Sequence, residues 1–230
     1  MRIVSVAFET EDLFRAEQFY GGVLGLPTHR EDGTLAVRAG SSLLLLRRGP
    51  TGGPTGPGRQ HLAFTVPRLM FDAAKRWIAP RAELLRDADG RDDFETAPHW
   101  NAHSLYFPDP DGNILEFIIR RDIPDDRTGP FGPGHIRCIS EVGIAADAVP
   151  TLAGRLESEF GVCPYGDGVP TFQPVGDVEG LLILVAPGRP WFPTSVPSGS
   201  QSLTVDIAGR AAGSLEASPG IVIHSKAYRS

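Results

Sequence analysis

The sequence predicts an α+β fold: tandem βαβββ modules that form a mostly antiparallel sheet, followed by a third, degenerate module of the same type. Three observations support this prediction. A strand-like segment at residues 5–13 runs directly into an amphipathic helix, the same order of segments returns further along the chain, and stretches rich in glycine and proline separate the copies. Because such stretches hold neither helix nor central strand, they indicate loops and linkers between repeated units.

The first two copies align without a gap. Residues 5–13 read SVAFETEDL and residues 61–69 read HLAFTVPRL, so three of the nine positions are identical at an offset of 56. Apolar residues at helical spacing then predict helices over 13–24 and 69–78. Short apolar runs after each helix predict strands at 35–38, 43–47, 83–85, 104–107 and 114–119.

A third copy begins after residue 134. Residues 140–147 align with residues 5–12 at an offset of 135, and a fourth copy starts at 201–203 but is not completed. The stretch 122–134 reads DIPDDRTGPFGPG and is the predicted linker between the second and third copies. In this half of the chain, strands are predicted at 171–172, 180–185 and 221–225.

The composition excludes several classes of protein. A net charge of −6 disfavours nucleic acid or an anionic membrane as partner, because both require basic surfaces. The longest apolar runs, near 43–46 and 181–186, are far shorter than the roughly 20 residues that span a bilayer, and no leader-like segment precedes the first strand. Cys138 and Cys163 lack the spacing of a redox or zinc motif and indicate a reducing compartment. We therefore expect a cytoplasmic protein.

Two motifs resemble those of a known superfamily. Residues 19–26 read FYGGVLGL and residues 106–116 read YFPDPDGNILE. They resemble the FY-x-x-x-LG-L helix end and the YF-x-DPDGN-x-LE hairpin of the glyoxalase, bleomycin-resistance and extradiol dioxygenase proteins, the vicinal-oxygen-chelate superfamily. The second motif has a physical logic, because Gly112 or Asn113 can adopt the positive φ of a tight turn, which aims Glu116 back into the sheet.

The resemblance is firm over residues 3–120 and looser over 135–208. In that superfamily two βαβββ modules pair, so that their strands curl into a barrel around one cavity. The resemblance therefore implies the following organisation: paired modules 1–59 and 60–121 that form a candidate active-site cup over 1–121, a linker at 122–134, and a third module with a final strand over 135–230.

Metal ligands in the superfamily come from the first and last strands of each module. Carried over position by position, the four slots here are Ser5, Leu43 or Leu44, His61 and Glu116. Glu116 lies in an apolar strand, where a carboxylate is costly to bury unless it is paired, protonated or metal-bound. His61 and Glu116 are thus the predicted ligands of one divalent metal, Fe, Mn or Zn. The site is expected to be incomplete, because Ser5 replaces the expected histidine and a hydroxyl is a poor ligand for such a metal.

The resemblance also suggests catalytic residues. Tyr106 lies ten residues before Glu116, as does a catalytic tyrosine in extradiol dioxygenases, and His99 lies where related dioxygenases have a histidine. Histidine there suits proton transfer near neutral pH. Either His99 or His103 could alternatively supply the missing ligand. The residues predicted to line the pocket are Ser5, Ala7, Trp100 and His103.

The third copy carries Ser140 and Ser202 at the slots equivalent to Ser5 and His61, so no metal is expected there. Its loop at 188–193 reads GRPWFP and is predicted to line a pocket or an interface, where Trp, Phe and Arg are favoured. A module without a completed partner leaves a strand edge exposed, which predicts a homodimer.

The leading functional prediction is a metal-dependent enzyme for small molecules, most similar to the extradiol ring-cleaving dioxygenases, acting on a compact aromatic or oxygenated substrate. Two alternatives stay open: a metal-free protein that binds or sequesters a small molecule, as bleomycin-resistance proteins do, and a glyoxalase-type lyase or isomerase. The fold does not decide among them, because function depends on the site.

Overall fold

The computed structural model describes residues 1–49, 59–199 and 202–227, which form two curled seven-stranded sheets and three α-helices. The helices are α1 (Leu13–Glu17), which continues as a π-helical turn over Gln18–Val23, α2 (Phe71–Ile78) and α3 (Val149–Phe160). The strands are β1 (Arg2–Thr10), β2 (Thr28–Glu31), β3 (Thr34–Ala39), β4 (Ser42–Arg48), β5 (His61–Thr65), β6 (Phe94–Glu95), β7 (Ala102–Pro108), β8 (Ile114–Arg120), β9 (Cys138–Ala145), β10 (Phe172–Asp177), β11 (Gly180–Val185), β12 (Leu203–Gly209), β13 (Gly213–Ser218) and β14 (Ile221–Ala227). The predicted α+β class with repeated modules is confirmed.

Each sheet combines one module from either half of the chain. The strand order is β13-β14-β12-β1-β4-β3-β2 in the first sheet and β10-β11-β9-β5-β8-β7-β6 in the second. The first module therefore shares a sheet with the last strands of the chain, and the second module shares one with the third. This differs from the expected cup between residues 1–59 and 60–121, whose strands lie in different sheets. The physical reason is that every module offers the same open edge at its first strand, so local sequence does not specify which edges pair.

The two sheets share one hydrophobic core. Ser42 joins them directly, because its buried hydroxyl donates to the carbonyl oxygen of Ile3 at 2.7 Å and accepts from the amide of Ile139 at 3.1 Å. In β1, β4 and β12 the core residues alternate with less buried ones, as expected for strands with one buried face. Cys138 and Cys163 are free thiols.

The helices follow the sequence prediction more closely than the edge strands do. The helix predicted over 13–24 is α1 with its π-helical continuation, and the one over 69–78 is α2. The strand predicted at 83–85 is wrong: Leu85 donates one backbone hydrogen bond to Tyr106 at 2.8 Å, whereas the ladder on β7 is formed by β6.

None of the helices in the described ranges has the length and apolar character needed to cross a membrane. The stretch at 49–58 reads GPTGGPTGPG, one of the glycine- and proline-rich segments that predict a loop between copies, and most of it lies outside the described residues.

The hairpin between β7 and β8 is tied to the first helix. Asp109 accepts hydrogen bonds from the amides of Asp111 and Asn113, both at 2.9 Å, and from the hydroxyl of Tyr20 at 2.9 Å. Gly112 adopts a φ of +81° in this turn, a conformation that favours glycine. Burial raises the pKa of Asp109 to about 6 in spite of these donors. The two motifs thus contact each other, and together they hold the start of β8.

Candidate metal centre

Three strands of the second sheet bring one histidine and two carboxylates together. β5 is the central strand: Ala63 pairs with Glu116 of the parallel neighbour β8 and with Glu141 of the antiparallel neighbour β9. His61 lies two residues before Ala63 and so points to the same face. The two glutamates therefore flank the histidine side chain from either side.

The ligand atoms of this cluster are close together and buried. His61 Nε2 lies 3.4 Å from Glu116 Oε2 and 3.6 Å from Glu141 Oε2, and one ligand atom of each residue lies within 4.8 Å of the others. The residues are 6%, 3% and 4% exposed, in that order. Among the described residues this is the one group of three or more possible ligands.

A backbone carbonyl sets the orientation of the imidazole. His61 Nδ1 lies 3.1 Å from the carbonyl oxygen of Ile114. Because a carbonyl only accepts, Nδ1 carries a proton and donates, and Nε2 faces the two carboxylates. Metal-binding histidines are held in this way, with the second ring nitrogen bonded to a carbonyl or carboxylate.

Arg120 lies behind the cluster. It follows Glu116 by four residues on β8, so it projects from the same face, and its guanidinium forms a buried ion pair with Glu141. Its Nε and Nη1 have no hydrogen-bond partner among the described residues. The carboxylate of Glu141 therefore has a permanent positive charge on one side and His61 on the other.

This arrangement shifts the pKa values of the two carboxylates in opposite directions. Burial and the charge of Glu141 raise the pKa of Glu116, whereas Arg120 and His61 outweigh the burial of Glu141 and lower its pKa. Burial opposes the charged form of His61, but hydrogen bonds to both glutamates outweigh it and raise its pKa to about 9. Carboxylates whose environments push their pKa values apart are typical of acid–base sites.

The cluster lies in the floor of a cavity of about 730 Å³, within the range of small-molecule sites. Trp191 covers His61 with its ring centroid 5.3 Å away, and its Nε1 donates to the carbonyl of Arg59 at 2.7 Å. Gly143 makes this possible, because a Cβ there would lie 2.4 Å from the indole. The other aromatic residues that line the cavity are Phe94, Trp100, Tyr106, Phe172 and Phe192.

Residues 5–118 match the family model of a glyoxalase-like domain. Residues 5–118 thus carry a glyoxalase-like domain, in agreement with the resemblance of their motifs to the vicinal-oxygen-chelate superfamily. The fold is similar to that of a candidate dioxygenase from Bacillus subtilis, with a TM-score of 0.65 and 16% identity over 98% of this chain and 84% of that one. It is also similar to glyoxalase I from Zea mays, with a TM-score of 0.57 and 15% identity over 92% of this chain and 75% of that one. No protein of curated function matches the sequence.

Some of the residues predicted from the superfamily motifs lie in the cavity. Tyr106 pairs with Glu116 across β7 and β8, and its ring centroid is 6.4 Å from that of His61. Burial and the charges of the two glutamates hold the pKa of Tyr106 well above its usual range, so its hydroxyl keeps its proton. Trp100 also lines the cavity.

The two other predicted histidines are not part of the cluster. His103 lies on the face of β7 opposite Tyr106, stacked on Phe71 with 3.6 Å between ring centroids, and its Nε2 is 3.1 Å from Asp93. His99 is exposed, and its carbonyl accepts from the hydroxyl of Tyr165 at 3.3 Å. Neither of them supplies a third ligand in this arrangement.

Ser5 and Ala7 lie in the first sheet, on β1, and not in this cavity. The hydroxyl of Ser5 donates to Asp206, and Ser5 pairs with Leu43 of β4. The expectation that Ser5 leaves the metal site incomplete is therefore wrong, because its module pairs elsewhere.

Glu141 is the site residue that the sequence reasoning missed. The repeat alignment pointed to Ser140, one residue earlier, and a shift of one residue moves a side chain to the other face of a strand. A signal was available, since Glu141 is a lone carboxylate among apolar residues of β9, as Glu116 is in β8. The loop at 188–193, predicted to line a pocket or an interface, supplies Trp191 and Phe192 to the cavity wall.

Proposed function

We propose that this protein is a metal-dependent enzyme that acts on a compact, oxygenated or aromatic compound. The observation that carries the proposal is the cluster of His61, Glu116 and Glu141 in the floor of an aromatic cavity. One imidazole and two carboxylates converge there in a buried place, and buried groups of these types are typically paired or bind a metal.

The residues present fit a divalent metal. Separations of 3.4 Å and 3.6 Å between the histidine nitrogen and the carboxylate oxygens are compatible with bonds of about 2.0–2.2 Å to a shared ion. Three protein ligands leave coordination positions for a substrate oxygen. When bound, the metal would act as a Lewis acid that polarises that oxygen.

The donor set favours proton transfer over ring cleavage. Ring-cleaving enzymes of the superfamily use two histidines and one carboxylate, the set typical of iron oxygenases. Here one histidine stands with two glutamates, and glyoxalase-type isomerases need a second carboxylate. We therefore propose a lyase or isomerase reaction in which a proton moves beside a carbonyl group.

The side chains suit such a reaction. Glu116, whose pKa is raised, is the group that can take up and return the proton, while Glu141 is kept anionic by Arg120. Tyr106 retains its proton and can donate a hydrogen bond to a substrate oxygen. Trp191 covers His61 and excludes water from that side of the cluster.

A ring-cleaving dioxygenase, the leading prediction from sequence, is the second candidate, and it is supported by Tyr106 beside the cluster. As an oxidoreductase it would need oxygen as co-substrate. Metal-free sequestration, as in bleomycin resistance, would be the remaining function if no metal binds.

Metal titration tests the basis of the proposal. Protein freed of metal should bind Mn(II) or Zn(II), and Glu116→Gln or Glu141→Gln should each weaken binding by about tenfold or more, because each removes a charged ligand. Asp206→Asn, in the first sheet, is the matched control and should leave the affinity unchanged. Wild-type affinity no higher than that of a variant with both substitutions would contradict the proposal and favour metal-free binding.

A second assay separates the reaction classes. The metal-loaded protein is incubated with α-hydroxy carbonyl compounds in D₂O, and with catechol in an oxygen electrode. The proposal predicts deuterium uptake beside the carbonyl that is lost in Glu116→Gln. Oxygen uptake without deuterium exchange would favour the dioxygenase.

Dimerisation and cytoplasmic location stay predictions. The argument from an unpaired third module no longer supports a dimer, because β9 pairs with β5 of the same chain. Light scattering decides the first point, since a species of 24.7 kDa would be a monomer.

A further inference from the structure

A cation in the cavity wall has no role in the metal cluster. Arg189 lies between β11 and β12, partly buried, with its guanidinium carbon 4.6 Å above the ring centroid of Phe172. The loop that carries it is the one that places Trp191 over His61. Arg189 and the metal cluster therefore border the same space.

The backbone around Arg189 is held in place. Its amide donates to the carbonyl of Ala186 at 3.1 Å, and its carbonyl accepts from the amide of Ser198 at 2.8 Å. The Trp191 indole is bonded to the main chain of Arg59 at 2.7 Å. The arginine thus projects from a fixed turn, which favours a binding role over a solvated surface role.

The other charged groups of the wall have ion-pair partners. Asp93 pairs with Lys75, Glu95 pairs with Arg121 at 2.7 Å, and Arg91 pairs with Asp87 at 2.7 Å. Arg189 forms no ion pair with any described residue, and its guanidinium lies over the ring of Phe172. Burial lowers its pKa, and no neighbouring acid acts against that effect.

The floor of the cavity does not neutralise Arg189. Glu141 is paired with Arg120, and Glu116 lies 3.4 Å from His61 Nε2, so both carboxylates of the floor have partners of their own. An anionic ligand bound to Arg189 would therefore not face an unpaired carboxylate in the floor of the cavity. A single unpaired guanidinium matches a single negative charge, and its planar fork suits a carboxylate.

We propose that Arg189 is a specificity-determining residue that binds a carboxylate on the substrate. This inference rests on the proposed function, and it identifies the substrate class as a planar, aromatic carboxylic acid. Its carboxylate would pair with Arg189, its ring would lie among the aromatic side chains, and its oxygenated end would face the metal cluster. The wall that would hold the ring consists of Trp100, Tyr106, Phe172, Trp191 and Phe192.

Calorimetric titration with two probes of nearly equal size, one charged and one neutral, tests the proposal. Benzoate and benzamide have nearly the same shape, and only benzoate is charged. Wild-type protein should bind benzoate about tenfold more tightly or better, because hydrogen bonds to a charged group in a partly buried site are strong. Arg189→Gln should abolish the preference, Arg189→Lys should restore part of it, and added salt should weaken it.

Arg81 provides a matched control. Its guanidinium carbon lies 4.6 Å from the ring centroid of Trp77, the same geometry at a place outside the cavity. Arg81→Gln should leave the preference for benzoate intact. Equal binding of the two probes to wild type, or no detectable binding of either, would overturn the proposal.

The two proposals fail separately. Metal binding without a preference for benzoate would overturn the role of Arg189 and leave the metal enzyme standing. A preference that depends on Arg189 in a protein that binds no metal would support the carboxylate site and contradict the metal enzyme. The comparison of probes on wild type needs no variant, so it does not depend on the folding of Arg189→Gln.

Discussion

Metal binding at the cluster should become stronger with pH, because a metal and a proton compete for the same nitrogen. His61 Nε2 faces both carboxylates, and these raise the pKa of His61 to about 9. At pH 7, about two units below this pKa, the metal must displace a proton from His61. The cost of removing that proton opposes metal binding by about 2.7 kcal/mol. The apparent affinity should therefore rise about tenfold per pH unit between pH 6 and 8 and level off near pH 9.

The assay is titration of metal-free protein with Mn(II), in competition with a chelating dye, at intervals from pH 6 to 8.5. The unfolding free energy of metal-free protein provides a second measurement, and it should fall with rising pH where the metal affinity rises. The pKa of His61 is above its ordinary value of 6.5, so its ion pairs stabilise the fold fully below pH 6.5, and this is lost as the pH rises through about 9. The loss amounts to about 3 kcal/mol of unfolding free energy. Asp109, with a pKa of about 6, titrates below this window.

His61→Gln is the control for both measurements and should remove both pH dependences. The reasoning would be refuted by a metal affinity that is the same at pH 6 and pH 8. It would also be refuted by metal-free protein whose unfolding free energy, from urea titrations, stays constant or rises between pH 6.5 and 9.

Three further predictions concern single residues. Ser5→His should leave Mn(II) affinity unchanged in the same titration, because Ser5 lies in the first sheet; a tenfold gain would mean that the modules pair differently. Gly143→Ala should displace Trp191, destabilise the fold by about 1–3 kcal/mol in urea titrations and red-shift the tryptophan emission, whereas an unchanged spectrum would contradict the close packing. Asp109→Ala should lower the unfolding free energy by about 2–4 kcal/mol, since it leaves buried donors of the β7–β8 hairpin unpaired; a loss below 1 kcal/mol would show that this turn does not hold β8.

The local elements could be predicted from sequence because their causes are local. Helices α1 and α2 follow from apolar spacing, and the hairpin follows from Pro-Asp-Gly-Asn, where Gly112 takes the positive φ that the turn requires. The nearness of His61 and Glu116 also follows from one module, because they lie on strands that the module pairs within itself. These features depend on residues separated by at most one repeat.

What the tertiary structure decided is the pairing between modules, and with it the third ligand. Every module exposes the same kind of first-strand edge, and the choice of partner depends on packing across the whole chain, including the contact of Ser42 with the second sheet. That choice removed Ser5 from the site and brought in Glu141. Because side chains alternate along a strand, an error of one residue in a weak repeat was enough to select Ser140 in its place. Sequence similarity between copies reports the shape of each module, whereas the register between modules is set by the hydrogen bonds and core contacts of the folded protein.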